Sequence, residues 1–235
     1  MVSRTIVAEP ESRPRVRRPY SSPLMRDRRN RILTEAHGLL MEKGVEGFSM
    51  REVLARSGVA QRTLYAAFGT KDELIVQAAD QFFNGLMDKA PPPPAAADFE
   101  GMMQRIAHFA AETTSLKAYS KALAGVYFST SENQKVHDCL YDINQRGGGY
   151  WLKRAVEERV LIELSVEDQA FLGKMMANSS YAVVIDWAAD RISQGELARR
   201  WQLAFLTTVR SFVRPKHRAT VDSLVRGLLE PSTAR

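Results

Sequence analysis

The segment from Ser49 to Lys71 limits the fold of this chain more than any other, because it predicts two short helices joined by one tight turn. Ser49 and Glu52 have the spacing of a capping box, which marks the start of the first helix. Gly58 follows that helix and can adopt the left-handed conformation at low cost. The second helix is expected from about Gln61 to Phe68. The segment therefore predicts a helix-turn-helix, whose second helix can place side chains in a DNA groove.

Helical patterns also surround this segment. A helix with one apolar face is expected from about Pro23 to Lys43. Thr70 and Glu73 form a second predicted capping box, which opens a helix that continues to about Lys89. The proline run 91–94 ends that helix, because proline lacks the amide donor and restricts the residue before it. We expect a basic arm over residues 1–22, a DNA-binding domain with its connecting helix over 23–90, and a second domain over 95–235.

The second domain is expected to be helical throughout, which predicts an all-α fold. Its expected helices cover about 99–110, 116–128, 132–160, 166–192, 196–213 and 221–229. Gly147, Gly148 and Gly149 interrupt the third of these, and each glycine costs a helix about 1 kcal/mol relative to alanine. We therefore expect a kink or a break at this point.

The two helices at about 166–192 and 196–213 each carry apolar residues on two faces. A helix of this kind must bury both faces. One face can cover the core of the chain, and a second copy of the chain is the economical partner for the other. The pattern predicts a homodimer, and the alternative is a helix fully internal to a monomer.

The net charge of +6 is concentrated at the start of the chain. Residues 1–31 hold nine arginines and three acidic residues, and the remaining basic and acidic residues balance at 24 each. A solvated, disordered tail is one interpretation of this segment. The other is an arm that neutralises DNA phosphates or enters a minor groove. Both hold if the arm orders when it binds DNA.

Several classes of protein fit the sequence poorly. No apolar run has the length of a signal peptide core or of a membrane span. The single cysteine, Cys139, fits a reducing cytoplasm and a packing role. His108 and His137 lack partners at metal-ligand spacing, so we expect neither a metal site nor a cofactor. No nucleophile elbow, phosphate loop or dinucleotide fingerprint indicates an enzyme.

Residues 28–75 resemble the TetR family of bacterial transcriptional regulators. The resemblance implies an N-terminal DNA-binding domain and a C-terminal domain that binds a small ligand and dimerises through its last two main helices. The order and spacing of the whole set of matching residues make it specific. These residues are Gly44 to Ser49, Val53 to Ala55, Ser57 to Val59, Thr63 to Tyr65, Phe68 and Gly69, and Lys71 to Leu74.

Base reading is expected from the N-terminal end of the second helix. Glutamine pairs well with adenine and arginine with guanine in the major groove, so Gln61 and Arg62 are the candidates. The resemblance implies phosphate contacts by Thr63, Tyr65 and Lys71. The alternatives are packing against the first helix for Tyr65 and a solvated surface charge for Lys71.

Other contacts to the DNA backbone follow from the helix ends. Backbone amides near Ser49 and Met50 can hold a phosphate at a helix N-terminus. Ala60 and Ala67 depart from the family pattern, since many relatives carry a capping serine at the first position and a tyrosine or histidine at the second. Both alanines remove contacts, and we expect the arginine-rich arm to replace them.

The resemblance also implies an effector cavity among the C-terminal helices. An aromatic and methionine lining suits an apolar or aromatic ligand. Such a ligand would weaken DNA binding by preferring a conformation in which the reading helices are badly spaced. A helix-turn-helix factor that needs no ligand is the alternative. The candidate lining residues are Met102, Met103, His108, Phe109, Tyr119, Phe128, Trp151, Met175, Asn178 and Tyr181.

Overall fold

A computed structural model describes residues 23–128 and 134–230, and these residues form an all-α fold, as predicted. The predicted arm, residues 1–22, lies outside the described residues. A π-helical turn, Gln145–Gly149, which we call the π-turn, joins the seventh helix to the eighth. The eleven helices are α1 (Pro23–Lys43), α2 (Met50–Ser57), α3 (Gln61–Phe68), α4 (Lys71–Lys89), α5 (Phe99–Thr114), α6 (Lys117–Tyr127), α7 (Gln134–Asn144), α8 (Tyr150–Glu157), α9 (Val166–Ala188), α10 (Gln194–Arg210) and α11 (Pro215–Leu229).

The two predicted capping boxes have different outcomes. At the start of α4, the Thr70 hydroxyl accepts the Glu73 amide at 3.2 Å, and the Glu73 carboxylate accepts the Thr70 amide at 3.3 Å. This box is confirmed. At the start of α2, Ser49 has extended backbone geometry, but its side chain makes no capping hydrogen bond. The prediction of a capping box at Ser49 was wrong, because the Glu52 carboxylate pairs instead with Lys43 of α1 at 2.5 Å.

The apolar face of α1 lies at the centre of the first hydrophobic core, and five of its residues are buried there. The same core takes in residues of α2, α3 and α4, and it continues into α6, α7 and one residue of α9. The core around α1 therefore continues into helices that follow the proline run. Helix α4, which follows α3 in the chain, packs against both α1 and α7.

A second core joins α5, α8, α9, α10 and α11. Trp151 is fully buried in it, and its indole N–H donates to the carbonyl of Ala96 at 2.9 Å. The end of α10 is tied to the loop after α8 by an isolated bridge between Leu161 and Val213. Helix α10 ends at Arg210 and not at about residue 213 as predicted, and Val213 lies in the bridged segment that follows it.

The three consecutive glycines are the last three residues of the π-turn. The helical chain is therefore distorted at this point, but it does not break. Gly147 lies against α4, and a Cβ at that position would be 3.4 Å from the Cε atom of Met87. Arg146 of the π-turn donates to Asn84 at 2.7 Å and to Asp80 at 2.5 Å, both on α4. The π-turn therefore contacts α4, which follows the unit formed by α1, α2 and α3. We call this three-helix unit the reading head.

The apolar faces predicted on α9 and α10 are covered to different extents within the single chain. On α9, Phe171 and Met175 are 60% and 40% exposed, so this face is uncovered in the single chain. On α10, Leu206 and Val209 are fully buried within the chain, as is Leu197 of its other stripe, whereas Trp201, Ala204 and Phe212 of that stripe are half-buried. Helices α5, α9 and α11 pack against α10, and one of its two apolar stripes is only partly covered in the single chain. No helix in the described ranges is both long and apolar enough to cross a membrane.

Candidate functional site

Helix α3 has one buried face and one open face. Gly58 ends α2 in the left-handed conformation, with φ of 64°, and turns the chain toward α3. Leu64 and Phe68 are 0% and 2% exposed, which fixes α3 against the core. Gln61 and Arg62 consequently face solvent at the N-terminal end of the helix. The structure thus exposes the two residues that the sequence assigns to base reading.

The residues assigned to phosphate contacts lie on or beside the same face. Tyr65 is 47% exposed, which leaves its phenol available at the surface, and Thr63 is half-buried. Lys71 is half-buried at the start of α4 and makes no ion pair within the described part of the chain. These positions suit contacts with the DNA backbone on either side of a DNA groove that α3 would enter.

The N-terminus of α2 adds unoccupied donors to this surface. Ser49 and Met50 are half-buried, and the Ser49 side chain leaves the first amides of α2 without a cap. Ala60 likewise gives α3 no side-chain cap. Uncapped amides at two adjacent helix N-termini carry partial positive charge and can donate to phosphate oxygens.

Arg29 of α1 holds α3 in place, a role that the sequence analysis missed. Its guanidinium donates to the carbonyl of Ala67 at 3.2 Å, donates to the Gln77 side chain of α4, and lies over the Phe68 ring, 4.7 Å from the centroid. The arginine therefore contacts α3 and α4 at once. Its spacing of three and four residues before Ile32 and Leu33 places it on the inward face of α1, which is the signal that could have revealed it.

An apolar cavity of about 120 Å³ lies among the helices behind the reading head. Helices α4, α5, α6, α7, α9 and α10 contribute to its wall, together with Gly147 and Gly148 of the π-turn. From α4 come Phe83, Leu86 and Met87. A ligand in this cavity would therefore touch both the C-terminal helices and the helix that follows α3.

Three of the ten predicted lining residues, Met102, Phe109 and Tyr181, do line this cavity, and the other seven lie elsewhere. Trp151 and Tyr119 are fully buried core residues, the latter packed against His37. Phe128 and Met175 are 46% and 40% exposed.

The remaining three residues outside the cavity are engaged by neighbours within the fold. The Asn178 side chain accepts a hydrogen bond from the Tyr127 hydroxyl at 2.8 Å. Met103 is buried, and its carbonyl accepts from Gln202 at 2.9 Å. His108 packs edge-on against Phe109, with ring centroids 5.8 Å apart.

Arg105 lines the cavity and is a residue that the sequence analysis did not single out. It is the one charged side chain among the described lining residues. A signal for it exists in the sequence, because positions 102, 105, 106 and 109 fall on one helical face and Arg105 interrupts an apolar stripe.

Within the described ranges, no group of three or more His, Cys, Asp or Glu residues is arranged to hold a metal ion. His137 instead stacks on Tyr127, with ring centroids 4.8 Å apart, and lies 3.2 Å from the Asp138 carboxylate.

Comparison with known proteins identifies the N-terminal segment. Residues 32–78, from the buried half of α1 to α4, match the family described as bacterial regulatory proteins, tetR family. This segment resembles the DNA-binding domain of the TetR family. The chain is 24% identical to the transcriptional repressor KstR of Rhodococcus jostii (strain RHA1) over 185 residues, covering 78% of this chain and 83% of KstR. It is also 40% identical to the uncharacterised regulator YvaF of Bacillus subtilis (strain 168) over 52 residues, covering 22% of this chain and 27% of YvaF.

Solved TetR structures share the fold. A TetR regulator from Rhodococcus sp. RHA1 covers 77% of this chain and 96% of its own length, with 21% identity and a TM-score of 0.50. TylP, a TetR regulator from Streptomyces fradiae, covers 87% of this chain and 98% of its own length, with 14% identity and a TM-score of 0.54. The matched segment indicates a DNA-binding transcriptional regulator, and α2 and α3 form its helix-turn-helix.

Proposed function

We propose that this protein is a dimeric repressor that a small apolar or aromatic ligand releases from a palindromic operator. The observation that carries the proposal is the position of the cavity. Phe83, Leu86 and Met87 of α4 form part of its wall, and only two residues separate the end of α3 from the start of α4. A ligand that prefers one position of α4 would therefore bias the position of α3 by its differential affinity.

The DNA-binding part of the proposal assigns a role to each exposed group of the head. Gln61 and Arg62 read base edges, while Thr63, Tyr65 and Lys71 contact phosphates. The uncapped amides at Ser49 and Met50 hold a further phosphate. This assignment is supported by the exposure of the first two residues and by the absence of a side-chain cap on α2.

The dimer is supported by the apolar face of α9 that the single chain leaves uncovered. Phe171 is 60% exposed and Met175 is 40% exposed on this helix. Two chains joined at this face would present two copies of α3, and the distance between them would set the half-site spacing. Sedimentation analysis would detect the dimer, and Phe171→Glu is expected to shift the protein toward monomer.

The operator is identified by selecting bound fragments from random DNA and footprinting the preferred sequence. On that operator, Arg62→Ala is expected to weaken binding by about 1–3 kcal/mol and to relax the preference at one position of each half-site. Lys71→Ala is expected to weaken binding evenly across sequences and to reduce the salt slope by about 1. Arg226→Ala, which removes an exposed charge from α11, is the matched control.

Two results would count against the proposal. A preferred target with one asymmetric half-site contradicts the dimer. Equal weakening of all sequences by Arg62→Ala contradicts base reading by that residue. Ligand release is tested separately, by thermal shift with a panel of small apolar and aromatic compounds. If no compound shifts the melting temperature while operator binding is intact, a ligand-independent DNA-binding factor is favoured.

A further inference from the structure

Arg105 is an unusual residue to find in the wall of an apolar cavity. The side chain projects from the middle of α5, and the residue is 5% exposed. Apart from a few uncharged polar groups, the rest of the described wall is apolar, including Met102 and Phe109 one turn away on the same helix. A guanidinium keeps its charge in proteins, so this cavity has a fixed positive charge in its wall.

The contacts of Arg105 leave that charge without a counter-ion. One Nη donates to the carbonyl of Pro91, and the other lies 4.0 Å from the Sδ atom of Met87. The guanidinium also lies over the rings of Phe109 and Tyr150, at 5.0 and 5.3 Å from their centroids. Its buried Nε has no hydrogen-bond partner. In residues 23–128 and 134–230, no carboxylate comes within ion-pair distance of it.

Arg154 lies in the same region, and its charge is paired with a carboxylate. It also donates to a carbonyl of the proline run, that of Pro94, at 3.1 Å. Unlike Arg105, it lies outside the cavity and pairs with the Glu158 carboxylate at 2.5 Å. A tether to the proline run therefore does not require a buried, uncompensated charge. Burial lowers the pKa of Arg105, which is the direction expected where nothing offsets the desolvation of the charge.

We propose that the ligand of this cavity is an amphipathic carboxylate, whose anionic group pairs with Arg105 and whose apolar body contacts Leu86, Ile106 and Phe109. The inference rests on the proposed function in taking the cavity as the effector site, and it narrows the ligand from any apolar compound to an apolar acid. A carboxylate supplies what the guanidinium lacks, since it can accept two parallel N–H donors in a forked pair. The buried, unpaired Nε is one such donor.

The test compares acids with neutral alcohols of the same shape. The probes are decanoate with 1-decanol, 4-phenylbutyrate with 4-phenyl-1-butanol, and 1-naphthylacetate with 2-(1-naphthyl)ethanol. Calorimetry on the full chain without DNA, at a pH where the acids are ionised, gives the dissociation constants. We expect at least one acid to bind about ten- to a hundredfold more tightly than its alcohol, the range that corresponds to a hydrogen-bonded charge.

Three variants separate a ligand contact from a structural role. Arg105→Met is expected to abolish the preference for the acid and to leave alcohol binding unchanged or tighter. Arg105→Lys keeps the charge without the fork, so it should retain part of the preference. Arg154→Met makes the same substitution at the arginine outside the cavity and should leave the preference as it is. Without ligand, Arg105→Met should melt at or above the wild-type temperature, because it removes a buried charge that has no counter-ion.

Several outcomes would overturn the inference. These are equal binding of acids and alcohols, a preference that survives Arg105→Met, failure of all three acids to bind, or a melting temperature of Arg105→Met lowered by more than about 5 °C. Operator release is measured separately by fluorescence anisotropy. If an acid binds through Arg105 but does not release DNA, the proposed function fails and the ligand assignment stands. If neutral compounds release DNA, the proposed function stands and the ligand assignment fails.

Discussion

Replacing Arg29 with alanine tests how the reading helix is held in place. In the structure, this one side chain joins α1 to the carbonyl of Ala67 at the end of α3, to the ring of Phe68 and to Gln77 of α4. Arg29→Ala removes all three contacts while leaving the apolar core of the head unchanged. We therefore expect the variant to fold, with a less stable head and a less fixed position of α3.

The size of the effect follows from the contacts. The two hydrogen bonds are exposed, so each is given the lower part of the usual range, about 0.5 kcal/mol, and the cation–π contact adds about 0.5–1 kcal/mol. The free energy of unfolding should fall by about 1.5–2 kcal/mol, which lowers the melting temperature of a chain of this size by roughly 3–8 °C.

Calorimetry without DNA measures this change, and Arg28→Ala is the matched control. Arg28 is the preceding residue on α1, is exposed, and contacts no partner within the described residues. Its removal should change the unfolding free energy by less than about 0.5 kcal/mol. A double-mutant cycle with Gln77→Ala isolates the contact to α4. Equal destabilisation by the two arginine variants, or zero coupling between Arg29 and Gln77, would refute the reasoning.

Two further predictions concern titratable groups. The hydrogen bond from Lys135, followed by the one from the Thr70 amide, lowers the pKa of Glu73 from its ordinary value near 4.5. The stabilisation it gives is therefore present above pH 4.5 and is lost as the pH falls through the lower folded pKa. Glu73→Gln should flatten the fall in melting temperature between pH 5 and pH 3, and Glu46→Gln, an exposed control, should not. Burial raises the pKa of the Cys139 thiol to about 11, so at pH 8 its reaction with a disulfide reagent should be at least tenfold slower than in urea; equal rates would show an accessible thiolate.

The helices of the head could be predicted from sequence because their signals are local. The capping box at Thr70, the glycine turn at Gly58 and the proline stop after Lys89 each depend on a few consecutive residues. The predicted box at Ser49 failed because its glutamate, Glu52, has a competing partner, Lys43, on another helix. A pattern within α2 holds no information on where Lys43 lies in space.

The cavity could be predicted only in part, for a related reason. Periodicity indicates that Trp151 and Phe109 both face inward, but not whether a neighbour fills the space beside each one. Trp151 meets the Phe205 ring and the Ala96 carbonyl and is core, whereas Phe109 borders open volume. The polar residue that interrupts an apolar stripe, Arg105, was the more informative signal, because burying a charge is costly unless something pairs with it.

One face of α4 connects the two parts of the protein. Gln77, Asp80 and Asn84 are spaced at i, i+3 and i+7, so they share this face. Arg29, which holds α3, contacts the first of them, and Arg146 of the π-turn contacts the other two. These exposed polar contacts are each worth at most about 1 kcal/mol and can exchange more easily than the packed core on the opposite face. A ligand that displaces the π-turn would thus act on the same surface of α4 that fixes the reading helix, and it would not need to disrupt a core to do so.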